Sequence, residues 1–166
     1  KGQLRFVTDP PRPRLLGQPV TEYRYDANGR IEKIIDPLLQ EVNYRYDANG
    51  NRDQVTNQRG KVTSYAHDSL DRLIMVTDPL GRATTYGYDA ASRRTSRLDA
   101  KGQSTAYSYD VLDRLTTIDY PAGTADVAYT YDALGNRLTM ADGTGTTSYV
   151  LDALYRRTSI TDGASN

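Results

Sequence analysis

Along this chain, short runs in which apolar or aromatic residues alternate with polar ones are interrupted by turn-forming residues every ten or eleven positions. Thr84-Thr85-Tyr86-Gly87-Tyr88 spaces its tyrosines two apart, which places both rings on the same face of a strand. Leu73-Ile74-Met75-Val76-Thr77 and Ile31-Glu32-Lys33-Ile34-Ile35 supply a second kind of run, rich in strand-favouring side chains. Between the runs stand Asp-x-x-Gly, as at Asp26–Gly29, Asp47–Gly50 and Asp132–Gly135, and Asp-Pro-x-Gly, as at Asp78-Pro79-Leu80-Gly81. Asp accepts bonds from turn N–H groups, Pro presets φ, and Gly supplies positive φ. No segment carries a capped helical period. The pattern predicts an all-β chain of consecutive antiparallel hairpins, about 14 strands in a meander. A sheet of that count curls or splits, so closure or coiling is expected.

The hairpins repeat. An aspartate column runs through Asp26, Asp47, Asp68, Asp89, Asp110, Asp132 and Asp152, in steps of 20 to 22 residues. Directly before it stand Tyr25, Tyr46, His67, Tyr88, Tyr109, Tyr131 and Leu151; two residues earlier stand Tyr23, Tyr44, Tyr65, Tyr86, Tyr107, Tyr129 and Tyr149. Twelve of the 14 tyrosines fall in those two columns, so the period is a property of the chain and not of chance. A second turn column follows at Asp36, Asn57, Asp78, Asp99, Tyr120, Asp142 and Asp162. Glycines close it at Gly60, Gly81, Gly102, Gly123 and Gly145, with Leu39 and Ser165 as exceptions. Residues 1–166 therefore read as one array: a partial repeat over 1–20 with an enlarged turn near 10–17, then repeats of about 21 residues from 21 to 166. His67, Leu151, Asp71, Ser92, Asp113 and Tyr155 break the columns, as a degenerate natural array does.

Composition narrows the partners. The formal net charge is zero and the 21 basic residues are dispersed, which argues against nucleic acid or an anionic membrane as the main partner. No apolar run approaches the about 18 residues of a membrane span, and no signal peptide precedes Lys1. The first residue is not Met, so a processed or excised piece of something longer is expected. Cysteine is absent, which removes disulfides and thiolate metal sites. Fourteen Tyr against one Phe and no Trp suit a sheet with a wet face, because Tyr joins a large apolar ring to a polar tip.

The chemistry-bearing residues favour structure over catalysis. Repeated carboxylates suggest a glycosidase pair, but seven equivalent Asp offer no unique environment to perturb a pKa. Turn capping accounts for them. Asp26-Ala27-Asn28-Gly29 and Asp47-Ala48-Asn49-Gly50 resemble the start of a calcium loop and lack its later ligands. His67, the sole histidine, replaces one aromatic in a column; neither a zinc site nor a triad is expected around it. Arg30, Arg72, Arg93, Arg114 and Arg156 form a partial column four residues after the anchor, suited to pairing with Asp or stacking on Tyr. No catalytic, cofactor or metal residues are expected.

Those columns make the chain resemble the YD-repeat, or Rhs-repeat, family. The resemblance rests on Tyr25-Asp26-Ala27-Asn28-Gly29-Arg30-Ile31, on Tyr131-Asp132-Ala133-Leu134-Gly135-Asn136-Arg137-Leu138, and on Thr77-Asp78-Pro79-Leu80-Gly81 running on to Tyr88-Asp89. It implies a β-strip that spirals into a hollow shell, of which this chain is a curved or spiralling partial segment too short to close alone. In bacterial Rhs proteins and Tc-toxin B/C components such a shell encloses a toxic C-terminal domain; in teneurins a similar barrel belongs to an adhesion receptor. The segment that ends the bacterial shell by self-cleavage has no counterpart before Asn166, so no protease or toxin activity is carried over.

The expected function is thus structural, in a large secreted or cell-surface bacterial protein used in competition or attack. Its partners are the rest of the shell and an enclosed polypeptide, with edge-to-edge self-association available to an isolated segment. The framework residues are Tyr25, Asp26, Gly29, Tyr46, Asp47, Gly50, Asp78, Pro79, Gly81, Tyr88, Asp89, Tyr109, Asp110, Tyr131, Asp132 and Gly135. The alternative is an adhesion module binding carbohydrate or a cell surface through Tyr23, Tyr44, Tyr65, Tyr86 and Tyr107.

Overall fold

The computed structural model describes residues 20–164, all in strands and turns. The partial repeat and enlarged turn expected over 1–20 fall, apart from Val20, outside the described residues. The chain divides between Ala83 and Thr84 into two units. The first holds β1 (Glu22–Tyr25), β2 (Ile31–Ile35), β3 (Glu41–Tyr46), β4 (Arg52–Thr56), β5 (Val62–His67) and β6 (Leu73–Thr77). The second holds β7 (Ala83–Tyr88, whose first residue belongs to the first unit), β8 (Arg94–Leu98), β9 (Ser104–Tyr109) and β10 (Leu115–Asp119). It continues through β11 (Val127–Tyr131), β12 (Arg137–Asp142), β13 (Gly145–Leu151) and β14 (Arg157–Ala164). Within each unit every strand pairs antiparallel with its neighbours in sequence, and the first and last strands do not pair with each other. Neither unit closes on itself.

Register follows from the turns. Asp26 N–H donates to Arg30 O (2.9 Å) and Gly29 N–H to Asp26 O (3.1 Å). Asp36 N–H bonds Gln40 O (3.0 Å) and Leu39 N–H bonds Asp36 O (2.9 Å) in the same way. The two turn sequences thus build one frame: a type I turn followed by a left-handed residue, a common three-residue hairpin loop. Gly29 takes that residue's φ at 80°, but Leu39, Asp71, Ser92, Asp113 and Tyr155 take it too, at 59–63°. The substitutions that break the glycine column leave the turn intact. Two second turns depart from the frame. At Tyr120, which has no carboxylate, Asp126 Oδ1 accepts the Tyr120 N–H from the far side (2.9 Å). At Asp142 the hairpin tightens so that Asp142 lies opposite Gly145.

The hairpins closed by first turns carry a register shift that those closed by second turns lack. Tyr25 faces Ile31 while Arg24 faces Lys33, and the same step recurs at Tyr46, His67, Tyr88, Tyr109, Tyr131 and Leu151. This bulge places the residue five after each anchor directly beside the tyrosine before that anchor. One face then gathers the tyrosines with Ile34, Val42 and Val55, while the other carries ion pairs such as Lys33–Glu41 (2.7 Å) and Arg45–Asp53 (2.9 Å). The tyrosines share a face, as the spacing predicts. Among the described residues only Ile35 and Thr105 are buried.

Candidate functional site

The conspicuous chemistry sits at the first turns. Asp26 Oδ1 accepts the N–H groups of Asn28 and Arg30, both at 2.9 Å, and Asp26 Oδ2 accepts Arg30 Nε at 2.7 Å. Asp68, Asp110 and Asp152 repeat the arrangement with Arg72, Arg114 and Arg156, and Asp89 with Arg93. In the second row, Asp36, Asn57, Asp78 and Asp99 cap their turns with the same two backbone bonds. Pro79 occupies the exposed second position of the turn that Gly81 completes.

These bonds act on the carboxylates. The Arg30 backbone N–H is the largest influence on Asp26; with the Arg30 side chain it outweighs partial burial and holds the carboxyl below its usual range. For Asp89 and Asp78 the side chains of Arg93 and Arg82 come first, and for Asp132 the Asn136 amide does, each again opposed by partial burial. At Asp47, Asp68 and Asp110 partial burial is the largest single influence and pushes upward, but the summed turn bonds win. Every one of these shifts is downward. A general acid needs the opposite.

A second set of contacts joins one repeat to the next. Arg30 lies over the Tyr46 ring, 4.3 Å from its centroid, and Tyr46 Oη donates to Ile31 O at 2.8 Å. Arg93 lies 5.0 Å from the Tyr109 centroid, and Tyr109 Oη donates to Arg94 O at 2.9 Å. Arg114 lies 4.8 Å from the Tyr131 centroid and donates to Asp132 O (2.7 Å), while Tyr131 Oη donates to Leu115 O (2.8 Å). Each such Arg is held by the carboxylate of its own turn and covers the tyrosine of the next. This is a clasp between repeats. Asp71 and Asp113, in the left-handed position, add to it: Asp71 accepts from Asn49 and Asn51 (2.9 and 2.6 Å), and Asp113 from Arg93 (2.6 Å).

The clasp has a sequence signal within this chain alone. Arg30, Arg72, Arg93 and Arg114 are each followed in the next repeat by a tyrosine, namely Tyr46, Tyr88, Tyr109 and Tyr131. Where Asn51 and Asn136 stand instead, the next column residues are His67 and Leu151. The two columns depart from consensus together, as expected where the cation and the ring form one contact, at Arg30–Tyr46, Arg93–Tyr109 and Arg114–Tyr131. His67 Nδ1 is buried without a partner.

The other tyrosine column, Tyr23, Tyr44, Tyr65, Tyr86 and Tyr107, lies mid-strand and half-buried. Arg52 lies over Tyr65 (5.1 Å) and Arg94 over Tyr86 (4.7 Å). No group of three or more His, Cys, Asp or Glu among the described residues is placed to hold a metal ion. The sequence profile of the Teneurin YD-shell family matches residues 16–163. The chain belongs to that family.

Solved structures agree on the YD-shell fold. The Photorhabdus luminescens Tc holotoxin pore matches at a TM-score of 0.72 with 16% identity, over 84% of this chain and 9% of that one. TcdB2-TccC3 without its hypervariable C-terminal region matches at 0.71 with 17% identity over the same shares, and TcdB2-TccC3 itself at 0.69 with 18%. The chain therefore spans about a tenth of the length of the structures it matches. No curated protein sequence matches it. No described helix is long and apolar enough to cross a membrane.

The clasp is interrupted twice in this YD-shell chain, at Asn51 with His67 and at Asn136 with Leu151. At the last junction, where Asn136 and Leu151 stand for the clasp's Arg and Tyr, a shallow cavity of about 430 Å³ opens.

Proposed function

We propose that the chain is a stretch of wall in a large secreted or surface YD/Rhs-repeat shell of bacterial type that encloses a C-terminal toxin or effector polypeptide. The observation that carries this reading is the near absence of an interior. A β-layer is stable when its faces meet another layer, yet only Ile35 and Thr105 are buried among the described residues. Leu38, Leu70, Leu80, Leu112, Leu134 and Leu154 stand at turn tips, 61–77% exposed. Such surface belongs against more protein: the remainder of the shell and the enclosed chain. The family membership and the likeness to Tc-toxin structures support the same assignment. Residues 1–166 act as a single array in it, and the framework aspartates, glycines and tyrosines set its hairpins.

The wall does no chemistry in this account. Its capping carboxylates are engaged by their own turns and held ionised, so they supply no proton at neutral pH. The carbohydrate-binding alternative through the mid-strand tyrosines stands second, since arginines already lie over Tyr65 and Tyr86.

The test is protease access in the native polypeptide that carries the array. The enclosed segment resists added protease while the array is folded and is cut once denaturant has melted it. Equal cleavage in both states contradicts the reading.

A further inference from the structure

We propose that Asn28 is a spontaneous modification site, at which the side-chain amide converts through a succinimide to aspartate and isoaspartate. The inference is independent of whether the wall encloses a polypeptide. It rests on a difference between two turns of the same sequence. The chain has two Asn-Gly pairs, and both stand in the string Tyr-Asp-Ala-Asn-Gly, over Tyr25–Gly29 and Tyr46–Gly50. Glycine after asparagine leaves the backbone nitrogen open to the side chain, because no Cβ covers it.

The backbones of the two turns are built alike. Asp26 Oδ1 accepts the Asn28 N–H at 2.9 Å, and Asp47 Oδ1 accepts the Asn49 N–H at 3.0 Å. Gly29 and Gly50 donate to the carbonyls of Asp26 and Asp47, both at 3.1 Å, and both asparagines are exposed. The side-chain amides differ. Asn49 Nδ2 donates to Asp71 Oδ1 at 2.9 Å, so the next repeat tethers it. Asp71 stands 22 residues after Asn49; the residue 22 after Asn28 is Gly50, which has no side chain to accept. The Asn28 amide makes no hydrogen bond among the described residues.

The chemistry needs only water. The Gly29 nitrogen attacks Asn28 Cγ, the new C–N bond closes a five-membered imide, and the Cγ–Nδ2 bond breaks. The proton of the Gly29 N–H leaves with Nδ2 as ammonia. Water then opens the imide. Breaking the new N–Cγ bond gives aspartate, whereas breaking the bond to the backbone carbonyl carbon gives isoaspartate, with the chain routed through Cβ and Cγ. That route adds a methylene to a tight loop. The bond from Asp26 N–H to Arg30 O (2.9 Å) and the seat of Arg30 over Tyr46 (4.3 Å) are then lost, so the reaction loosens the clasp between these repeats. At Asn49 the leaving nitrogen must first give up a charged acceptor, which slows the step about tenfold.

The test is incubation of the folded chain at mildly alkaline pH, followed by tryptic mass mapping and isoaspartyl methyltransferase labelling. The tryptic peptides Tyr25–Arg30 and Tyr46–Arg52 report the two sites separately. Asn28 converts about tenfold faster than Asn49 in the folded chain. In denaturant the two rates become equal, because the local sequences are the same and the tether is gone. Asp71→Gly raises the Asn49 rate to that of Asn28, and Gly50→Asp, which supplies the missing carboxylate, slows Asn28. Equal rates in the folded chain, conversion at neither site, a ratio that persists in denaturant, or rates unmoved by both substitutions overturns the proposal.

Discussion

The first turn at Asp110 and the second turn at Asp99 close with the same pair of backbone bonds, yet they hold different things. Asp99 Oδ1 accepts two backbone N–H groups, from Lys101 (2.8 Å) and Gln103 (3.0 Å), and the turn ends there. Asp110 accepts the equivalent pair and also Arg114 Nε (2.6 Å), and Arg114 reaches on to the Tyr131 ring and Asp132 O. One turn folds a hairpin; the other also binds the next hairpin to it. The consequence is visible in what each row tolerates. Second turns include Asn57 in place of Asp, a far-side cap at Tyr120 and a tightened loop at Asp142. First turns keep Asp and the same loop throughout.

Acid gives the largest expected effect. Folding lowers the carboxyl pKa of Asp26, Asp47, Asp68, Asp78, Asp89, Asp99, Asp110, Asp132, Asp142 and Asp152. A lowered folded pKa means stability that is complete above the unfolded value, about 3.9, and is lost as pH falls through the folded value. The array therefore melts progressively below about pH 4, and the Asn57 cap, which does not titrate, holds after its neighbours. Thermal melts across pH with residue-resolved NMR check this; an Asn57 turn that opens first would break the comparison.

Removing single caps comes next. Asp110→Ala lowers Tm by roughly 6 °C and Asp99→Ala by roughly half as much, because only the former also loses an arginine contact to the following repeat. Equal losses would mean that the clasp contributes nothing.

A finer cut separates the two tyrosine columns. Tyr109→Phe and Tyr131→Phe each cost about 1 kcal/mol through the lost hydroxyl bond, while Tyr129→Phe, whose hydroxyl makes no hydrogen bond among the described residues, is neutral. Denaturant midpoints of the three variants decide it.

The smallest effect concerns the left-handed residues. Leu39→Gly relieves about 1–2 kcal/mol of strain and adds about 0.5–1 kcal/mol of unfolded-chain entropy, a net gain of about 0.5 kcal/mol. Asp71→Gly gains nothing, since it also loses the bonds from Asn49 and Asn51. A Tm rise for Asp71→Gly as large as that for Leu39→Gly would remove the cross-repeat role of Asp71.

Much of this architecture was legible in the residues. The Tyr-x-Tyr-Asp spacing determines strand, face and turn, and Asp and Gly have physical reasons to stand where they do. The bulge beside each first turn was not legible, because it inserts Asp53 or Thr116 among residues that look like ordinary strand. Nor was the persistence of the turn at Leu39 and Tyr155, where the hairpin's own bonds, Leu39 N–H to Asp36 O and Tyr155 N–H to Asp152 O (both 2.9 Å), override a backbone preference. The joint departure of the Arg and Tyr columns was on the page, but its meaning needed the register that puts Arg114 on Tyr131. The cavity at Asn136 and Leu151 follows from that same register.

Native-state hydrogen exchange tests the central claim, that the Arg–Tyr clasp at the first turns of Asp26, Asp89 and Asp110 binds repeat to repeat more firmly than the second turns do, where Gln58 Nε2 donates to Asp36 Oδ2 (3.0 Å) across one junction. The expected result is slower exchange at the capped N–H groups of Arg30, Arg93 and Arg114 than at that of Gln103, which is capped by the same backbone geometry. Equal protection in the two rows, or faster exchange in the first, would contradict it.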